Sequence, residues 1–236
     1  MTPHRPHRLV YLLLITAAIM TACAPATSPK PPTPRATASL TPDAPTYYPH
    51  QTGLAWTYLV EGESILTPPY ALSVIGPSVV NGERVILSRL RGRTLDITYH
   101  HQHDTTGVHL LREDRPGYHI TYNPPLQELP RENGLAPSVT WGGRTTATIT
   151  YDDPSKPTEQ QDITYRYTVL EQRPANLPAG QLDTYTIEFM ARDEGSSVET
   201  RQHVWFTPHV GYARLRGDLI LTGGNTPTMP STTANR

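Results

Sequence analysis

Apolar and polar residues alternate one by one through most of the chain between residues 47 and 222. Ile163, Tyr165, Tyr167 and Val169 are interleaved with Thr164, Arg166, Thr168 and Leu170. Tyr185, Ile187 and Phe189 are interleaved with Thr184, Thr186 and Glu188 in the same way, and Ala147, Ile149 and Tyr151 with Thr146, Thr148 and Thr150. Successive side chains of a strand point to opposite faces, so a period of two predicts strands with one apolar face and one threonine-rich face. No stretch in this region carries the i, i+3, i+4, i+7 spacing of an amphipathic helix.

Turn signals cut the pattern at short intervals. Asn81-Gly82, set between apolar runs, predicts a two-residue hairpin of the I′ kind. Asp152-Asp153-Pro154 and Arg192-Asp193-Glu194-Gly195 mark two further reversals. The predicted strands are 55–61, 70–76, 83–91, 94–100, 107–112, 117–122, 145–151, 162–171, 182–191, 199–206 and 210–221. Consecutive strands with hairpin-length connections make an antiparallel meander, and a sheet of this many strands must curl, split or close. The expected fold is all-β: a single large curved antiparallel sheet, a half-barrel or open barrel, with no significant helix outside the signal peptide. Ile-Thr-Tyr recurs at 97–99, 120–122, 149–151 and 163–165, but its irregular spacing reads as strand propensity and not as a repeat.

The N-terminus follows a different pattern. Arg5 and Arg8 precede an apolar run at residues 9–20. Twelve residues rise about 18 Å as a helix, short of a ~30 Å hydrocarbon core, so the run predicts a secretory signal and not a membrane span. It ends in Met20-Thr21-Ala22-Cys23, which resembles the bacterial lipoprotein signal. That resemblance implies a diacylglyceryl group on the Cys23 thiol, cleavage after Ala22 and acylation of the new amine. Residues 24–46 hold seven Pro, five Ala, five Thr and two Ser in 23 positions. Such a composition builds no core and reads as an extended tether of up to about 70 Å. The expected organisation is a signal peptide at 1–22, a lipidated cysteine and tether at 23–46, a β domain at 47–222 and a disordered tail at 223–236.

Composition narrows the partners. With 20 Lys+Arg against 21 Asp+Glu the net charge is -1, and no basic run is present, which argues against nucleic-acid binding. One cysteine excludes an internal disulfide framework and a multi-cysteine zinc site.

Three short motifs frame the β domain: Gly53-Leu54-Ala55-Trp56-Thr57-Tyr58, Pro178-Ala179-Gly180-Gln181-Leu182, and Trp205-Phe206-Thr207-Pro208-His209-Val210-Gly211. Together they resemble a broad set of bacterial β-rich lipoproteins with a G-x-x-W-x-Y start, a P-A-G turn and a W-[FY]-x-P-x-V-G end. The resemblance implies one large curved antiparallel sheet, similar in outline to the half-barrels that ferry lipoproteins through the periplasm. It implies no chemistry, and this chain lacks the helix that serves those carriers as a lid.

Chemistry-bearing residues cluster at one place. His100, His101, His103 and Asp104 end one predicted strand, and His109 and His119 lie on the next two. His101 and His103 share a strand face, as two imidazoles on one metal require, and His109 would be a third ligand if the two strands pair. The same run also fits a solvated hairpin tip, and it contains no zincin-type helix motif. There is no G-x-S-x-G elbow, and Asp152-Asp153 reads as turn chemistry.

Tyrosine is the remaining signal, with 13 Tyr against 3 Trp and 2 Phe. Trp56, Tyr58, Tyr165, Tyr167 and Tyr185 fall on the apolar phase of their strands, where a curled sheet would gather them into a trough. Tyrosine suits a wall part apolar and part wet, although such hydroxyls also simply reach water at a rim. The expectation is an exported protein, lipid-anchored at Cys23 to the outer membrane or cell surface. It would bind an apolar or amphipathic ligand, or an envelope protein, through that face, with no cofactor, no metal and no catalysis. The alternatives are a metal-dependent or hydrolytic envelope enzyme using the 100–109 region, and a purely structural surface protein.

Overall fold

A computed structural model describes residues 46–226. The expected signal peptide, Cys23, the expected tether up to residue 45 and the expected tail from 227 lie outside the described residues. Twelve strands run in sequence order: β1 (Ala55–Val60), β2 (Tyr70–Val80), β3 (Glu83–Gly92), β4 (Leu95–Asp104), β5 (Gly107–Arg115), β6 (Tyr118–Pro130), β7 (Thr140–Tyr151), β8 (Glu159–Leu177), β9 (Gly180–Asp193), β10 (Glu199–Thr207), β11 (Gly211–Leu215) and β12 (Leu219–Gly224). Each pairs antiparallel with the next, and β12 pairs with β1. The described residues contain no helix. The all-β meander expected from the alternation is therefore present, with one correction. The sheet is a closed barrel and not a half-barrel or open barrel, because Tyr58, Leu59 and Val60 pair with Leu221, Ile220 and Leu219.

Turn chemistry explains most connections. Asn81 and Gly82 have φ of 51° and 86°, the two positive values that a I′ hairpin needs. A three-residue turn, passed over in the sequence, divides the predicted 210–221 strand: Gly217 and Asp218 have φ of 78° and 61°, and Leu215 pairs with Leu219 across residues 216–218. The β8–β9 hairpin extends well past its predicted ends, through a bulge between Val169 and Glu171, to a tip at Leu177 and Gly180. Gly223 and Gly224, expected in the tail, complete β12.

Closure gives the barrel an inside. The core falls into two clusters that share Tyr99 at their border. One gathers Trp56, Tyr58, Leu72, Leu90, Leu219 and Leu221. The other gathers Leu110, Leu129, Tyr167, Val169, Ile187 and Phe206. The three motifs that frame the domain meet in the first cluster. The Trp56 indole donates to the Val210 carbonyl at 2.7 Å, and the Tyr58 hydroxyl to the Tyr212 carbonyl at 2.9 Å. Gly211 lies against the Trp56 ring, and Ala179 and Leu182 from the β8–β9 tip pack into the same group.

Trp56→Phe and Tyr58→Phe keep most of the packing but leave a buried carbonyl without its donor. Each is expected to lower the free energy of unfolding by about 1–3 kcal/mol with an unchanged far-ultraviolet spectrum. Urea titration of the two variants measures this, and parental midpoints in both would show that these bonds do not hold the seam.

Candidate functional site

Strand β4 divides the histidines between two sides of the wall. His100 pairs with Arg112, and its Nε2 lies 2.8 Å from Asp114, which also bonds Arg112. His101 faces the other way, donating from Nε2 to Glu128 at 3.0 Å. The β4–β5 pairing expected of a metal site does form, but it sets His109 opposite Gln102 and not beside His101 or His103. His109 bonds Thr106 at 2.8 Å, and its Nε2 lies 3.5 Å from Asp104. His119 lies opposite Asp114 on β6. Among the described residues no three His, Cys, Asp or Glu side chains converge as metal ligands. Strand alternation thus keeps His101 and His103 on one face, as their spacing predicts, and turns His100 and His109 away from them.

The inward set instead forms a chain of charged and phenolic groups. Gln127 pairs with His109 and Leu129 with Val108, so Glu128 is the extra residue of a bulge. A bulge re-aims a side chain, and here the carboxylate meets His101. Burial pushes the Glu128 carboxyl up, but the His101 bond and the charges of His101 and Arg216 outweigh it and hold it below the ordinary range. Arg216, from the β11–β12 turn, lies 3.7 Å from Glu128, donates to the Tyr167 hydroxyl at 2.6 Å and rests 4.0 Å over the Phe189 ring. A partly buried pair of this kind stabilises little by itself, because desolvation offsets much of the attraction, but removing one member strands the other. Neither Glu128 nor Arg216 stood out in the sequence. The one available signal was the three-residue spacing of Leu126 and Leu129, which breaks a period of two.

The residues of the expected ligand face are placed by the same closure. Trp56, Tyr58, Tyr165 and Tyr167 are buried, and Tyr185 is half-buried against the second cluster. An open sheet would have left them lining a trough, whereas pairing of β1 with β12 makes their face the barrel interior. Their polar atoms are engaged within the protein. Besides the Trp56, Tyr58 and Tyr167 bonds, the Tyr165 hydroxyl accepts from the Gln127 amide at 2.9 Å. Tyr122, on the same inner wall, donates to Glu113 at 3.1 Å. The preference for tyrosine over phenylalanine is met by internal partners of this kind.

At the end of the barrel carrying the β2–β3, β4–β5 and β10–β11 turns, residues 46–51 form a strap across the opening. The His209 amide donates to the Tyr47 carbonyl at 2.9 Å. Tyr48 sits 5.2 Å from His103 and 6.1 Å from Phe206, ring to ring. His50 donates from Nδ1 to the Tyr48 carbonyl at 3.0 Å, and its ring lies 4.6 Å from His103. A cavity of about 20 Å³ remains among Tyr48, His50, Ser88, His101 and His103, room for a single water. His103 Nε2 is buried there without a protein partner. Burial first, and then His50 and His101, lower the His103 pKa to about 3. A larger open groove of about 610 Å³ crosses β7, β8 and β9, lined by Trp141, Gly142, Arg144, Arg166, Met190 and Arg192.

No family model and no curated protein matches the chain. Among solved structures it is similar to a protein inferred to be exported, with a YmcC-like fold, from Bacteroides fragilis. That likeness has 12% sequence identity over 78% of this chain and 100% of the other, with a TM-score of 0.46. It is also similar to an inferred lipoprotein from Parabacteroides distasonis, with 12% identity over 77% of this chain and 99% of the other, and a TM-score of 0.40.

The strap has a pH signature. An unfolded imidazole takes its proton near pH 6.5, whereas folded His103 takes one only near pH 3. Between these values the unfolded chain binds more protons, so stability falls as pH is lowered. The free energy of unfolding is expected to drop by roughly 1 kcal/mol per pH unit from pH 6.5 to 4.5, and His103→Gln should flatten that slope. The lowered carboxyls of Asp104, Asp114 and Glu128 add to the trend only at more acidic pH. Equal slopes in parent and variant, measured by urea titration at each pH, would contradict the assignment.

Proposed function

We propose that this chain is a cell-envelope lipoprotein, exported and held by acyl chains on Cys23, whose barrel acts as a binding or scaffolding module. The observation that carries the proposal is the Met20-Thr21-Ala22-Cys23 sequence directly after the apolar run at 9–20. A proline-rich segment follows, and the strap of residues 46–51 then fastens the chain to one end of the barrel. Each buried methylene of an acyl chain contributes about 0.8 kcal/mol, so several chains hold a protein on a bilayer almost permanently.

Packing favours external binding over carriage. Ligand pockets commonly enclose about 300–1,000 Å³, and the cavity behind the strap has about 20 Å³. A lipid cargo of the kind that half-barrel carriers hold does not fit there. A partner would meet the outer wall, where the groove over β7–β9 offers a thioether and guanidinium groups. The enzymatic alternative built on the 100–109 region has less support, since the register sets His109 opposite Gln102 and away from the inward face that His101 and His103 share.

Cys23→Ser is expected to move the protein from the membrane fraction to the soluble exported fraction and to abolish acyl mass on the mature N-terminus. Fractionation with intact-mass analysis reads both, and membrane retention of the variant would refute the anchor.

A further inference from the structure

The most exposed apolar side chains noted on the barrel are neighbours. Ile65 is 79% exposed and Leu66 is 89% exposed, both on the β1–β2 connection. Single exposed aliphatics are ordinary, but here the loop is braced in a way that keeps two of them in solvent. Glu63 forms two bonds to the Arg93 guanidinium, at 2.7 and 2.5 Å, and accepts from the Val60 amide at 3.1 Å. Arg93, from the β3–β4 turn, also donates to the Pro68 carbonyl at 3.2 Å and lies 4.8 Å over the Tyr70 ring. Within the loop the Thr67 amide donates to the Ser64 carbonyl and the Leu66 amide to the Ser64 hydroxyl. The loop is thus fastened on both sides of its tip, with Ile65 and Leu66 projecting from it.

We propose that Ile65 and Leu66 insert into the interfacial layer of the bilayer that carries the anchor, and so fix which end of the barrel faces the membrane. The proposal rests on the reading of Cys23 as lipidated, because a bilayer is then the surface the barrel meets at highest local concentration. Reach permits it. The strap lies at the opposite end of the barrel, and the 16 steps from His50 to Leu66 span at most about 58 Å fully extended. The proline-rich segment at 24–46 reaches up to about 70 Å, so an anchored barrel can turn its far end to the lipid. Charge permits it too. The loop's carboxylates, Glu61 and Glu63, are paired with Arg214 and Arg93, so neither stands unpaired before an anionic headgroup layer. Val198, 71% exposed on the β9–β10 connection, lies at the same end of the barrel.

The test uses the full chain with Thr67→Cys, which leaves both aliphatics in place, labelled with an environment-sensitive fluorophore. The protein is reconstituted on vesicles of phosphatidylethanolamine and phosphatidylglycerol. Co-flotation reports the anchor, and protection from an aqueous quencher reports the loop. The expected result is co-flotation, with the Thr67→Cys probe quenched several-fold less than a probe on Val79→Cys, which is exposed at the strap end. Adding Ile65→Ser and Leu66→Ser should raise quenching at Thr67→Cys to the Val79→Cys level without loss of flotation. Co-flotation with equal quenching at the two sites would overturn the insertion while leaving the anchor intact. A chain that fails to float would overturn the anchor, and with it the insertion.

Discussion

The first strand of this protein has neighbours on both sides, and much of the rest follows from that. β1 pairs with β2 next to it in sequence and with β12 at the far end of the chain. Strand edges left unpaired are templates for aggregation, and closing the ring removes them. Two side-chain bonds, from Trp56 to Val210 and from Tyr58 to Tyr212, reach past β12 and tie β1 to β11 and the turn before it. Ring closure also decides what the inward face becomes. Without it the tyrosines would line a trough open to ligand, and with it they are core.

The closed interior carries polar groups, and its charged members answer one another, although His103 Nε2 is left without a protein partner. Glu128 meets His101 and Arg216, Tyr167 meets Arg216, and Tyr122 meets Glu113. Such a network contributes modest net stability and penalises any packing that would leave a member unpaired. The barrel is therefore better suited to hold one shape than to open around a cargo. Its strap, with Tyr48 and His50 set against His103, closes one end. Function is then expected on the surface, at the groove over β7–β9 and at the aliphatic tip of the β1–β2 loop.

Strand positions were legible because alternation and turn residues are local. Asn81-Gly82 marked its hairpin, and the phase of Ile163, Tyr165, Tyr167 and Val169 predicted which side would be buried. Pairing between residues 55–60 and 219–224 was not legible, since nothing local distinguishes a last strand that closes a ring from one that ends a sheet. The bulge at Glu128 and the reversal at Gly217 and Asp218 interrupt the period by one or a few residues, too little to see without the partner strand. Tyrosine's excess was visible but ambiguous, because composition does not say whether a hydroxyl meets water or a carbonyl. The shared face of His101 and His103 was legible from alternation, but the register that sets His109 opposite Gln102 belongs to the pairing with β5 and was not.

Closure is most directly tested by amide hydrogen exchange at the seam. If β1 and β12 pair as described, the amides of Leu59 and Ile220, which face each other across the seam, exchange as slowly as those of Val169 and Ile187 in strands β8 and β9. Exchange at the seam as fast as in the exposed β1–β2 loop, with β8 and β9 still protected, would mean an open sheet and would contradict the account.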